Sequence, residues 1–180
     1  MTFTKVSVSA DLQAKVESFT QENFSQAIAD LGSLVKIPGI AWPSFDPENL
    51  TRSAQAVRDL LLETELFDFV DIKTALKPNG EPGSPAVLAR RASKGGAPHV
   101  LLYAHHDVQP PGNPELWDSD PFQATLKGER LYGRGVSDDK AGVITHLYAL
   151  KALKELAGNV DLGITLFIEG EEEAGSESFS

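Results

Sequence analysis

Apolar residues follow two different rhythms along this 180-residue chain, and the rhythm changes near residue 69. Leu12, Val16, Phe19, Phe24, Ile28, Leu31 and Val35 recur at helical spacing, which predicts helix, in one or two pieces, up to the break at Pro38 and Gly39. In "DPENLTRSAQAVRDLLLETEL", Asp46 is a fitting N-cap and Pro47 suits the first helical position. Leu50, Ala54, Val57 and Leu61 then share one face of a second helix. From 69 onward the runs become short and β-rich: "FVDIKTAL", "PAVLARRA" and "HVLLYA" are separated by "KPNGEPGSP" and "SKGGAP" and predict successive strands. "FQATLKGERLYGRG" predicts a strand pair turning at Lys127 and Gly128. "DKAGVITHLYALKALKEL" returns to helical spacing through Val143, Leu147, Leu150 and Leu153, and "DLGITLFIEG" reads as a buried strand. Strand, helix and strand in that order predict a crossover unit in an α/β fold, with a layered mixed sheet flanked by helices.

Composition narrows the setting. At 41% apolar and 23% charged residues, the chain has the make-up of a globular protein with a real core. Its 26 acidic and 16 basic side chains give a net charge of −10, a field that repels nucleic acid and anionic membrane surfaces and favours cations. The first residues lack a basic start followed by an apolar core, and no window approaches a membrane span, so a cytoplasmic protein is expected. The absence of cysteine excludes disulfides and thiolate metal sites.

Chemistry concentrates at three stations. In "LLYAHHDVQPP" alternate strand residues share a face, so His105 and Asp107 point one way and His106 the other. A metal-binding imidazole usually passes its second N–H to a carboxylate, which is the place Asp107 takes. Alternatively, His105 is a satisfied half-buried histidine and Asp107 a turn residue. In "LYGRGVSDDKAG", Asp138 and Asp139 stand at the entrance to a helix. A cap accounts for one of them, and a carboxylate with two oxygens is able to bridge two cations. In "FIEGEEEAGSES", Glu169, Glu171, Glu172 and Glu173 crowd the end of a buried strand, which is costly unless some are protonated or a cation sits among them. Histidine and carboxylate ligands without thiolate fit catalytic zinc, with manganese and cobalt as alternatives.

"YAHHDVQPP", "LYGRGVSDDKAG" and "EGEEEAGS", in this order between residues 103 and 176, resemble the N-terminal motifs of a family of two-zinc metallopeptidases. That family includes carnosinase-type dipeptidases, aminoacylase, carboxypeptidase G and succinyl-diaminopimelate desuccinylase. The resemblance implies a zinc-exopeptidase-like catalytic domain and amide hydrolysis by a metal-bridging hydroxide. It makes His105 a zinc ligand, Asp107 its orienting partner, Asp138 the bridge between two zincs, Glu172 the general base and Glu173 a ligand to the other zinc. It also implies a cis peptide between Asp138 and Asp139. His106 and Asp139 fall at variable positions, and His99 and His146 match no motif. The stretch "HDVQPPGNPELWDSDPF" is most similar to the dipeptidase branch, so a dipeptide or short peptide is the expected substrate. An N-acyl or N-succinyl amino acid is the alternative, and an inactive binding fragment a second one. Three strong ligand candidates are too few for two zincs. The resemblance places a further aspartate, a histidine and a lid domain for homodimerisation downstream, so residues 1–180 are expected to be the N-terminal part of a catalytic domain. Alone, they are expected to bind at most one zinc weakly and to hydrolyse nothing.

Overall fold

A computed structural model describes residues 8–158 and 160–179. The first apolar stripe forms one unbroken helix, α1 (Ala10–Val35), capped by the Ser9 side chain. Helix α2 (Glu48–Leu62) starts one residue later than its sequence suggests: Pro47 takes the N-cap position, and Asp46 still contributes by accepting the Glu48 N–H at 3.0 Å. Strands β1 (Phe69–Lys73), β2 (Ala86–Arg91) and β3 (His99–His105) follow. A small hairpin of β4 (Thr125–Lys127) and β5 (Arg130–Tyr132) comes next. Its closing pair is Lys127 with Arg130, so the turn lies at Gly128 and Glu129, one residue beyond the expected place. Gly128 supplies the positive φ of 63°. Helix α3 (Lys140–Ala157) and strand β6 (Gly163–Glu169) complete the order.

The main sheet runs β1-β2-β6-β3, with β1/β2 and β2/β6 antiparallel and β3/β6 parallel, so the α/β class with a mixed sheet holds. The crossover from β3 to β6 passes through the hairpin and α3. All three helices contribute to one core: Leu31, Leu34 and Val35 of α1, Ala54, Val57 and Leu61 of α2, and Val143 and Leu147 of α3 meet Val87, Ala89, Ala104, Leu166 and Ile168 of the sheet. Those strand residues alternate with Leu101, Tyr103 and Phe167, so the described helices layer one face of the sheet. On the other face Leu101 and Tyr103 are exposed. Among the described residues no helix is long and apolar enough to cross a membrane.

This arrangement decides where chemistry gathers. The parallel pair β3/β6 ends with His105 opposite Glu169, so both strands deliver their following loops to one edge of the sheet. The N-terminus of α3 arrives at the same edge. Parallel strands whose carboxyl ends share an edge are where α/β folds build sites.

Candidate active site

β3 alternation carries past the end of the strand and separates the two histidines. His106 is fully buried. Its Nε2 donates to the Pro85 carbonyl at 2.8 Å, its main-chain carbonyl accepts from the Ser53 hydroxyl, and burial pushes its pKa down to about 4. It is a neutral packing residue. His105 faces the other way: Nδ1 lies 3.3 Å from Asp107 Oδ1 and 3.2 Å from the Asp107 carbonyl, while Nε2 lies 3.1 Å from Asp138 Oδ1 and 3.6 Å from Glu172 Oε2. Burial works against a charge on His105, but hydrogen bonding and attraction from Asp107, with Asp139 and Glu172 behind it, outweigh burial and raise its pKa to about 9.

Asp107 is wholly buried, and its two oxygens do more than orient the imidazole. Oδ1 accepts the Glu172 N–H at 3.2 Å, and Oδ2 accepts the Glu173 N–H at 3.0 Å. These N–H groups belong to the start of a 3-10 turn, Glu172–Ala174, so the Asp107 carboxylate pins the third station against the first.

The second station divides its two aspartates as a cap and an outward-facing acid. Asp139 is the N-cap of α3: Oδ1 accepts the Gly142 N–H at 3.2 Å, and Oδ2 accepts the His105 N–H at 3.2 Å. Asp138 points outward toward His105 Nε2, with its side chain 75% exposed. The peptide bond between the two is cis. Lys140 next to them turns inward. It is 1% exposed, and its Nζ donates to the Leu34 and Ile37 carbonyls at 2.7 and 2.6 Å, satisfying the end of α1. Its position three, four and seven residues before Val143, Ile144 and Leu147 puts it on the buried stripe of α3, a signal present in the sequence.

The glutamate run divides as well. Glu169 accepts from the Tyr103 hydroxyl at 2.7 Å. Glu171 accepts main-chain N–H groups from Ser84 at 2.8 Å and Ser178 at 2.6 Å. Burial opposes its charge, yet these donors hold its carboxyl below the usual range. Both are structural. Glu172 and Glu173 are left facing His105, and one ligand atom each from His105, Asp138 and Glu173 lie within 4.8 Å of one another. Among the described residues His105 is the ionic partner of Asp138 and of Glu172, and no lysine or arginine reaches either. One nitrogen and several carboxylate oxygens converging without a basic side chain form a donor set that fits a divalent metal. Two neighbours were given no role by the sequence: Gln109, inside the first motif, which donates to Glu173, and Trp42, outside every motif, whose indole N–H lies 3.4 Å from the Glu173 carbonyl. His99 bonds Thr165, and His146 bonds the Tyr103 carbonyl, both away from this cluster.

Residues 101–180 match the model of peptidase family M20/M25/M40. All three stations lie inside that M20 match, so the likeness to the metallopeptidases is borne out. A cysteinylglycine-S-conjugate dipeptidase of Corynebacterium striatum is 47% identical over 91 residues, covering 51% of this chain and 20% of the relative. The human Beta-Ala-His dipeptidase is 37% identical over 158 residues, covering 87% of this chain and 31% of the relative. Human carnosine dipeptidase 1 superposes with a TM-score of 0.78 at 25% identity, over 94% of this chain and 36% of that structure. The chain thus spans about a fifth to a third of the length of the curated relatives it matches. The His105, Asp138 and Glu173 donor set, which could hold a divalent metal, lies inside the matched region.

Proposed function

We propose that this chain is the N-terminal part of the catalytic domain of a zinc-dependent dipeptidase, with His105, Asp138 and Glu173 as metal ligands and Glu172 as general base. The observation that carries the reading is the Asp107 clamp. One buried carboxylate holds the His105 ring and the main chain of Glu172 and Glu173 together, so a ligand pair and an adjacent base are assembled by a single group. Both curated relatives are named as dipeptidases, which favours dipeptides over N-acyl or N-succinyl amino acids.

Asp138, outward-facing and with two carboxylate oxygens, is the residue suited to lie between two cations, and His105 and Glu173 would each serve one of them. Bound zinc supplies Lewis acidity, lowering the pKa of water toward neutrality and polarising the scissile carbonyl. The chain's own residues do the proton handling and the positioning. Glu172 Oε2, on the side of the cluster facing His105 Nε2, takes one proton from the attacking water and returns it to the leaving amine nitrogen as the C–N bond breaks. Asp107 holds the His105 ring by Nδ1, which leaves Nε2 as the nitrogen free to ligate. Asp139 fixes the main chain of His105 to the start of α3 and so keeps Asp138 in register with it.

The test is hydrolysis of cysteinylglycine and β-alanyl-histidine by the full-length protein with zinc or manganese, beside an N-acetyl amino acid. Dipeptide turnover that a chelator abolishes supports the reading. Turnover of the N-acetyl amino acid alone would transfer the site to acyl-amino-acid chemistry, and no metal-dependent turnover of either would remove the enzyme reading.

A further inference from the structure

Gln109 touches the cluster without a part in the chemistry above. It is half-buried in the loop that leaves β3, and its Nε2 donates to Glu173 Oε2 at 2.6 Å and to the Glu173 main-chain carbonyl at 3.3 Å. A primary amide nitrogen carries two hydrogens, so both contacts are available at once. With Asp107 accepting the Glu173 N–H, Glu173 is tethered at its N–H, its carbonyl and one carboxylate oxygen.

We propose that Gln109 is a positioning residue that presents Glu173 to the metal: by occupying Oε2 it fixes the side-chain rotamer and leaves Oε1 as the single ligand atom. The proposal rests on the reading of Glu173 as a ligand. A glutamate side chain has several rotamers, and holding one of them beforehand removes an ordering cost from metal binding. The amide suits this place physically. A lysine or arginine would bring a positive charge that competes with the cation, a glutamate would repel Glu173, and asparagine is one methylene shorter. Keeping one oxygen engaged also limits Glu173 to a single bond, which preserves the open position that a catalytic metal needs for water or substrate.

The experiment uses the metal-free full-length protein, titrated with cobalt(II) by calorimetry and by visible absorption. It compares the wild type with Gln109→Met, which keeps the volume and loses the donor, and with Glu173→Ala. The expected result for Gln109→Met is a cobalt affinity roughly 10–100-fold weaker. Its cobalt spectrum should also change, because the freed Oε2 can join the coordination, while metal-free melting temperature stays that of the wild type. Wild-type affinity and spectrum in Gln109→Met would overturn the proposal. So would a fall in metal-free melting temperature that accounts for the affinity loss, since Gln109 would then be holding the loop alone. If wild type binds cobalt and Glu173→Ala binds it equally, the ligand reading of Glu173 fails and carries this inference with it. If wild type binds none, the metal reading of the whole cluster fails.

Discussion

At the scale of single residues, the site is organised by a side chain that would not itself touch substrate. Asp107 is fully buried, and its charge is balanced by one imidazole and two main-chain N–H groups. Changing it to asparagine removes the charge and turns one acceptor atom into a donor facing a donor. Asp107→Asn is therefore expected to weaken metal binding by roughly 10–100-fold, read by titration of the metal-free protein. Catalysis should fall further than metal occupancy explains, because Glu172 is tied to the same carboxylate. Glu172→Gln separates the two effects. The amide keeps the shape and the main-chain contact but cannot accept a proton, so kcat is expected to drop roughly 10²–10⁴-fold with metal affinity near that of the wild type. A Glu172→Gln protein that retains kcat would exclude Glu172 as the base.

At the scale of elements, the site is the meeting of two parallel strand ends and one helix start, and the sequence announced these to different degrees. Alternation along β3 separates His105 from His106 correctly, because the pleat persists to the end of the strand. The helical stripes of α1, α2 and α3 are legible for the same reason: each buries one face in a shared core. Less legible was the division of labour inside the acidic runs. Residue type alone does not tell Glu171 from Glu172; what distinguishes them is that Ser84 and Ser178, distant or beyond the run, donate to one and not to the other. The contacts of Gln109, although it lies in the first motif, and of Trp42 were not legible, because their partner is a single glutamate 64 and 131 residues away. Lys140 shares the buried stripe of α3 with Val143, Ile144 and Leu147, but the stripe does not name its partners, the carbonyls of Leu34 and Ile37 at the end of α1. Lys140→Ala removes one hydrogen bond from each of these carbonyls, which keep only the Ile37 and Gly39 main-chain N–H groups, and opens a cavity, and is expected to cost about 2–4 kcal/mol in chemical denaturation. An unchanged denaturation midpoint would mean water replaces the ammonium at the end of α1.

At the scale of the whole molecule, a net charge of −10 and an edge lined by Asp138, Glu172 and Glu173 point to the same dependence on cations. Carboxylates gathered at one edge repel each other, and surplus negative charge elsewhere adds to that repulsion, so the folded state carries a cost that a bound divalent cation offsets. A ligand that binds only the native state stabilises it in proportion to the logarithm of its concentration over its dissociation constant, about 2.7 kcal/mol at a hundredfold excess. Full-length protein loaded with zinc is therefore expected to melt several degrees lower after a chelator removes the metal. The fall should be nearly absent in His105→Ala, which starts from the metal-free stability. Sodium chloride gives the control: it screens general repulsion without occupying the cluster, so it should raise the melting temperature of the metal-free wild type and of His105→Ala alike. If chelation left the wild-type melting temperature unchanged while salt raised it, the acidic edge would be a source of diffuse repulsion, and the convergence of His105, Asp138 and Glu173 would not be a metal site.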